Sequence, residues 1–383
     1  MRTAEIRWAM IAVAIVACAG LSFCFAWYVH NGRDISRFVA AGDVFVDSAA
    51  RPGCLTVAQG SAGYDGQFYY RLAIVPFSTA PTVAGVRFDY PVYRSQRILY
   101  PLVVNVLSGG DPCRVLWTMP AVNVAVLMLL VFFAARLIAM SGCPPLFAAI
   151  AGLWPGFLFS LARDLTEPLA VTLVLGALLA NARRAPWWAA LSLTLAGLTR
   201  ETAMIAAVIL LLYGAVLSVK EHRFSFFVVA GAVPIAAYYC WKRFLFSLWD
   251  LPVNWGTTTI SGVPLAAFLG LLRDSYEASG HFGRVHGIEL VLLIAYAVVV
   301  FTAMIRSSAH PIVKACCIAY FLFVAGLSRD VWVEDWAFLR VTAEFGVLGA
   351  VVVAHATPVW RRIGTSLMVA GFAALFYELL HFR

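Results

Sequence analysis

The sequence predicts an all-α integral membrane protein, a polytopic helical bundle of about 11 transmembrane helices. Of its 383 residues 62% are hydrophobic, and the mean hydropathy is +0.85. Apolar runs near 20 residues, the length that crosses roughly 30 Å of hydrocarbon, recur along almost the whole chain. The placement of charge supplies the third observation, once the runs are set in order.

The first run, Trp8 to Val29, follows Arg2 and Arg7. It is longer than a usual cleaved apolar region, and no small-residue cleavage site ends it. Ile15-Val16-Ala17-Cys18 loosely matches a lipoprotein box, yet the apolar run continues well past Cys18. It reads as an uncleaved span with a cytoplasmic N-terminus. Further spans are expected at Leu116–Ile138, Pro145–Ala162, Leu165–Ala182, Trp187–Thr199, Thr202–Val219 and Phe224–Trp241, then at Ile288–Ile305, Pro311–Leu327, Val341–Ala356 and Ile363–Leu380. Trp187 to Val219 is divided because one helix of that length would reach about 50 Å. It would also bury Arg200 and Glu201 near its middle, where charge is costly.

Charge supports this division. The cytoplasmic pieces then hold eleven Lys and Arg against Glu5 and Glu221 alone, which gives +9 inside and −1 outside out of the total of +8. Short inner loops dense in Lys and Arg satisfy the positive-inside rule. The excess positive charge therefore reflects topology and gives no indication of nucleic acid. Carboxylate chemistry is confined to the outer face. The inner loops are too short for a nucleotide-binding domain, and no phosphate-binding G-x-x-x-x-G-K-[ST] loop occurs. One membrane domain spans 1–383, with two long outer loops at residues 30–115 and 242–287. Aromatic and apolar residues at helical spacing in these loops imply folded rather than disordered segments.

Of eight cysteines, Cys18, Cys24, Cys240, Cys316 and Cys317 fall in spans and Cys143 faces inward. Cys54 and Cys113 share the first outer loop, where oxidation can join them. Spacing alone does not fix the geometry of such a bond.

The first loop carries the chemistry. Gly63 and Gly66 flank Asp65 at the start of a short helix, along which Phe68, Leu72 and Val75 recur at helical spacing. A helix lying along the membrane surface is expected there. A carboxylate held under aromatics at that boundary is partly desolvated and tuned toward a general base. Alternatively, Asp65 caps the helix. A second segment, Tyr93-Arg94-Ser95-Gln96-Arg97-Ile98-Leu99-Tyr100-Pro101, sets two arginines three apart, a spacing that can fork onto phosphate oxygens. Contact with lipid headgroups is the alternative for those arginines.

Together, Tyr64-Asp65-Gly66-Gln67-Phe68-Tyr69-Tyr70-Arg71-Leu72-Ala73 and Tyr93-Arg94-x-x-Arg97-Ile98-Leu99-Tyr100-Pro101-Leu102 resemble bacterial membrane proteins linked to cell-surface glycopolymer formation. These in turn resemble, distantly, the GPI mannosyltransferase II (PIG-V-like) group of the GT-C superfamily. That group has a Trp-Asp-x-x-His-Tyr motif after the first span and an aromatic-Pro-Leu-x-Pro segment shortly after. Here Tyr64 stands for the Trp and Phe68 for the His, and the second Pro is missing. Leu195-Ala196-Gly197-Leu198-Thr199-Arg200-Glu201 resembles the Leu-Thr-Arg stretch common in such transferases.

The resemblance implies a sugar transfer from a polyprenyl-phosphate donor to a glycan or lipid acceptor on the outer face of a bacterial inner membrane. Asp65 would be the base, and Tyr64, Gln67, Tyr69, Tyr93, Arg94, Arg97 and Tyr100 would face the substrate. Arg94, Arg97 or Arg340 would meet the departing phosphate. Arg163, Asp164 and Glu167 at the turn between the third and fourth spans are further substrate contacts, or simply a charged turn. Arg200 and Glu201 are candidates too, or pair with each other. Trp332, Glu334, Asp335, Trp336 and Arg340 form an outer turn of sugar-stacking and phosphate-pairing types, which an interfacial aromatic belt explains equally. His281 and His286 have no plausible third ligand, so no metal site is expected there; the absence of Asp-x-Asp argues against the metal-dependent nucleotide-sugar transferases, and no cofactor is expected. A flippase of lipid-linked sugars and a non-catalytic partner in polysaccharide assembly are the competing readings. The flippase calls for a midplane site in broken helices, whereas the mid-span positions here are poor in charge.

Overall fold

The computed structural model describes residues 3–252, 265–277, 281–333 and 335–381. Every regular element among them is a helix, and the chain is an all-α membrane protein. Among the described residues five helices are long and apolar enough to cross a bilayer: Thr3–His30, Pro112–Met140, Glu201–Lys220, His286–Arg306 and Pro358–His381. A sixth arises if Pro145–Gly152 and Gly156–Ala162, bent by 58°, count as one span. Pro155 lies in that break, where its missing N–H and fixed φ favour a bend.

Several expected spans are short helices. Glu167–Ala182, Pro186–Gly197, Pro311–Ala325 and Ala343–Ala354 have 16, 12, 15 and 12 residues. At 1.5 Å per residue these reach only about 18–24 Å. The division of Trp187 to Val219 does appear. Helix Pro186–Gly197 ends, Arg200 is extended, and a short turn at Glu201–Ala203 leads into Met204–Lys220. The expected second long loop is partly helical. Phe227–Leu248 runs past Lys242, Ala266–Glu277 follows, and His281–Arg306 begins before Gly287.

The chain groups into two compact units. One comprises Met1–Val16, Leu130–Leu158 and Thr257–Arg383. Within it the Trp154 indole donates to Leu339 O at 2.9 Å, and the Tyr296 hydroxyl donates to Gly346 O at 2.7 Å. The other comprises Ala17–Leu129 and Phe159–Gly256 and contains the first loop.

That loop is folded around its own core. Phe68, Tyr69, Tyr70 and Leu72 pack with Leu55, Val86, Tyr100, Val104, Leu116 and Met119. The helix expected to lie along a surface, Gly66–Ile74, is instead buried at every position from Gly66 to Ala73. Phe68 meets Phe45 and Phe88, while Tyr69 meets Tyr100, so apolar partners enclose it on more than one side. Arg71 is buried with the rest. Its guanidinium donates to the carbonyls of Ala80, Pro81 and Val86 and lies 4.0 Å from the centre of the Phe88 ring. Burial brings this guanidinium down to about 10. Arg71 thus pins the segment after its own helix by donating to three of its carbonyls.

Cys54 and Cys113 form a disulfide, closing a ring that holds both motifs. A cross-link over 59 residues restricts the unfolded chain far more than the folded one. Replacing Cys54 and Cys113 by Ser should lower stability by roughly 2–4 kcal/mol, visible as a reduced midpoint of thermal unfolding in detergent.

Candidate functional site

Glycines set the entry to the Gly66–Ile74 helix. Gly63 has φ +67°, and a Cβ there would stand 2.5 Å from Ala40 O. A Cβ on Gly66 would stand 2.3 Å from Arg163 O and 2.8 Å from Val39 O. Only glycine permits these approaches, which pack the backbone on either side of Asp65 against Ala40, Val39 and Arg163. Asp65 occupies the N-cap position, but its side chain makes no capping hydrogen bond. The capping alternative is therefore not what the geometry shows.

Instead the carboxylate faces two arginines. Arg94 Nη1 donates to Asp65 Oδ1 at 2.7 Å, and Arg97 Nη1 stands 3.9 Å from Asp65 Oδ2. Each arginine is locked from behind by another carboxylate. Arg94 Nε and Nη2 donate to Asp89 Oδ1 and Oδ2 at 2.8 and 2.6 Å. Arg97 Nε and Nη2 donate to Glu201 Oε2 and Oε1 at 3.1 and 2.6 Å. Both are two-point forks, the strongest and most directional arrangement open to a guanidinium. Aromatic faces complete the clamp. Arg94 lies 4.3 Å from the centre of the Phe68 ring, and Arg97 lies 4.6 Å from that of Tyr93. The hydroxyls of Tyr69 and Tyr93 accept from Arg97 at 3.1 and 2.7 Å.

Electrostatics follow from the geometry. Burial works against the charge on Arg94 and Arg97, yet Asp65 and Asp89 for the first, and Glu201 with two tyrosines for the second, outweigh it. Both guanidiniums are held above their usual range. Burial, with the Asp65 and Glu167 charges, pushes the Tyr69 phenol up despite the opposing pull of Arg97. Asp65 keeps 18% of its side chain exposed, so solvent or a ligand can reach it. The enclosure expected under aromatics is thus joined by a charge-assisted hydrogen bond from Arg94.

A second ion pair lies deeper. Arg200 Nη1 donates to Glu167 Oε1 at 2.6 Å, with side chains only 4% and 2% exposed. The Ser160 hydroxyl donates to Glu167 Oε2 at 3.3 Å. Arg200 and Glu201 do not pair with each other, as their adjacency had suggested. Arg200 is in extended conformation, φ −160° and ψ 134°, and the two neighbours serve different partners.

The remaining candidates scatter. Gln67 is a loop clamp, accepting from Gly42 N at 3.1 Å and donating to Ala62 O at 2.8 Å. Tyr100 is buried, donating to Met119 O and accepting from Asn123. Tyr64 is half-buried beside the same core. Arg163 lies 5.2 Å from the Trp27 ring centre. Arg340 is buried on the Asp335–Val341 helix of the other compact unit. Trp332 is no sugar platform, being buried between Phe268 and Phe338. Glu334 lies outside the described residues, as do the side chains of Asp335, Trp336 and His281. His286 is buried edge-on to Phe338.

Asp164 is the anomaly. It is fully buried with φ +50°, and neither carboxylate oxygen has a hydrogen-bond partner among the described residues. Burial pushes its carboxyl far above the usual range. Sequence reasoning passed over Asp89 altogether. Its only signal is an acidic residue five positions before Arg94, ahead of a helix that starts at Pro91.

The fold and this site define an all-α membrane protein whose first loop buries a cluster of paired carboxylates and guanidiniums. Comparison with protein families, with curated proteins and with solved structures finds no match for this chain.

Two measurements test the electrostatics. Glu167→Gln leaves the Arg200 charge buried without its counter-ion, and should cost about 3–5 kcal/mol in thermal unfolding. Adding Arg200→Met should recover part of that loss. Asp164 has a folded-state pKa above its unfolded value near 4, so its stabilising contribution is complete below about pH 4 and fades as pH rises toward the folded value. Asp164→Asn, which tolerates the left-handed backbone, should match the parent's unfolding temperature near pH 4 and exceed it at pH 8.

Proposed function

We propose that this chain is a GT-C-type glycosyltransferase. It moves a sugar from a polyprenyl-phosphate donor to a cell-envelope glycan or lipid acceptor at the extracytoplasmic face of a bacterial inner membrane. One observation carries the reading. Asp65, in the motif that resembles the GT-C pattern, is released from helix capping and presented part-exposed between two guanidinium tips.

The proposed topology keeps about 11 membrane passages, with the N-terminus cytoplasmic and the first loop outside. The inner excess of Lys and Arg supports it. The Cys54–Cys113 bond supports it too, since such bonds persist in oxidising compartments.

The chemistry is a single displacement with inversion. An acceptor hydroxyl attacks the anomeric carbon, and its proton passes to Asp65. The bond from that carbon to the phosphate oxygen breaks, and the phosphate leaves with the electron pair. By analogy with glycoside hydrolysis, the sugar passes through an oxocarbenium-like state. Arg94 and Arg97 act differently from the expectation of a free phosphate fork, because Asp89 and Glu201 occupy their forks. They orient Asp65 and contribute positive potential near the departing phosphate. Phe68, Tyr69 and Tyr93 line the same clamp.

Asp65→Asn should lower transfer from a polyprenyl-phosphate sugar in reconstituted vesicles by roughly 10²–10⁴-fold while donor binding persists. Unchanged glycan output with this variant would instead favour a non-catalytic partner, and vectorial movement of the donor without transfer would favour a flippase.

A further inference from the structure

Two guanidiniums serve three carboxylates around Asp65. Arg94 gives its tip to Asp65 and its fork to Asp89, and Arg97 gives its fork to Glu201 and its tip toward Asp65. The other titratable groups facing this cluster are Tyr69 on the Gly66–Ile74 helix, Tyr93 on the Pro91–Ser95 helix, Tyr238 on the Phe227–Leu248 helix, which feels Glu201, Arg97 and Tyr93, and Glu167 with its partner Arg200. Arg163 lends its backbone carbonyl beneath Gly66. Among the carboxylates Asp89 is the one that shares a guanidinium directly with Asp65, at 2.6–2.8 Å on one side and 2.7 Å on the other. It is also fixed from its own backbone, since Asp89 Oδ1 accepts from Tyr90 N at 2.6 Å.

We infer that Asp89 is a positioning residue that keeps Asp65 basic, by holding the fork of Arg94 and dividing that guanidinium between two carboxylates. A carboxylate alone with one buried arginine is strongly stabilised in its charged form and accepts a proton poorly. A second carboxylate on the same guanidinium draws off part of that stabilisation, and its own negative charge favours protonation of its neighbour. The fork also fixes the direction of the Arg94 tip, so the orientation of Asp65 does not depend on a strong pair with it. The inference rests on the proposed reading only in taking Asp65 as the base.

The effect has a sign that a purely structural role would not produce. Asp89→Asn keeps the shape, retains one acceptor for Arg94 and removes the charge. The test is the pH dependence of Asp65 modification by a water-soluble carbodiimide and a small amine, read by peptide mass spectrometry on the full chain in detergent. Carbodiimide consumes the protonated carboxyl, so the labelling midpoint reports the basicity of Asp65 without donor, acceptor or turnover. Asp89→Asn should lower that midpoint by about one pH unit, and Asp89→Glu should leave it near the parent's. An unchanged midpoint in Asp89→Asn overturns the inference. A raised midpoint does so as well, because it would mean that Asp89 only holds Arg94 in reach of Asp65. Should Asp89→Asn fail to fold, a lowered midpoint in Asp89→Glu overturns the inference in its place. A midpoint that falls as expected in a protein without transfer activity would sink the glycosyltransferase reading alone. Transfer that depends on Asp65 with an unmoved midpoint would sink this inference alone.

Discussion

Arg97 is the residue on which the rest of the loop depends. Its guanidinium is 4% exposed and reaches Glu201, Tyr69, Tyr93 and the Asp65 oxygen at once. A buried cation of this kind is tolerable only when its donors are met, and each partner comes from a different part of the chain. The requirement therefore fixes how the Gly66–Ile74 helix, the Pro91–Ser95 helix and the turn at Glu201 sit together. Leu99 N, donating to Leu198 O at 3.0 Å, repeats that junction in the backbone. The same constraint explains why the Leu-Thr-Arg-Glu segment breaks its helix. A continuous helix would turn Arg200 and Glu201 by about 100° relative to each other, whereas the extended residue lets them serve separate carboxylate and guanidinium partners.

A pattern of this type differs from a surface ion-pair network. Exposed pairs contribute little, since water competes for every partner. Here the arginines are stacked on Phe68 and Tyr93, and their forks are two-point. The cluster is therefore organised for direction more than for strength. Asp65 emerges from it with one oxygen 2.7 Å and the other 3.9 Å from a guanidinium. The glycines on either side contribute the same way, by letting carbonyls of Ala40 and Arg163 approach the backbone more closely than any side chain would permit.

The membrane class and the folded first loop were legible in the sequence; Asp65, Arg94 and Arg97 stood out there as clustered polar residues, and the structure brings them together. Hydropathy reports burial in an apolar medium, and polar residues clustered in such a chain stand out against it. Helix lengths were legible only in part: the charge of Arg200 and Glu201 revealed the break between Trp187 and Val219, whereas the bend at Pro155 was hidden in an apolar run read as one span. Periodicity at Phe68, Leu72 and Val75 indicated one apolar face, but Tyr69, Tyr70 and Arg71 are buried as well, through hydrogen bonds and stacking that no hydropathy pattern records. Pairing was the least accessible feature. Arg200 and Glu201 are adjacent in sequence yet bond to Glu167 and Arg97, and Asp89 carries no motif at all.

The 104-residue separation between Arg97 and Glu201 bears on biogenesis. A ribosome delivers the arginine first, and the Pro112–Met140, Glu167–Ala182 and Pro186–Gly197 helices are made before Glu201 exists. Until then Asp65, at 3.9 Å, is the carboxylate within the segment already made that lies near Arg97 in the finished structure. The two-point fork between Arg97 and Glu201 is therefore the last part of this cluster whose residues all exist as the chain is made.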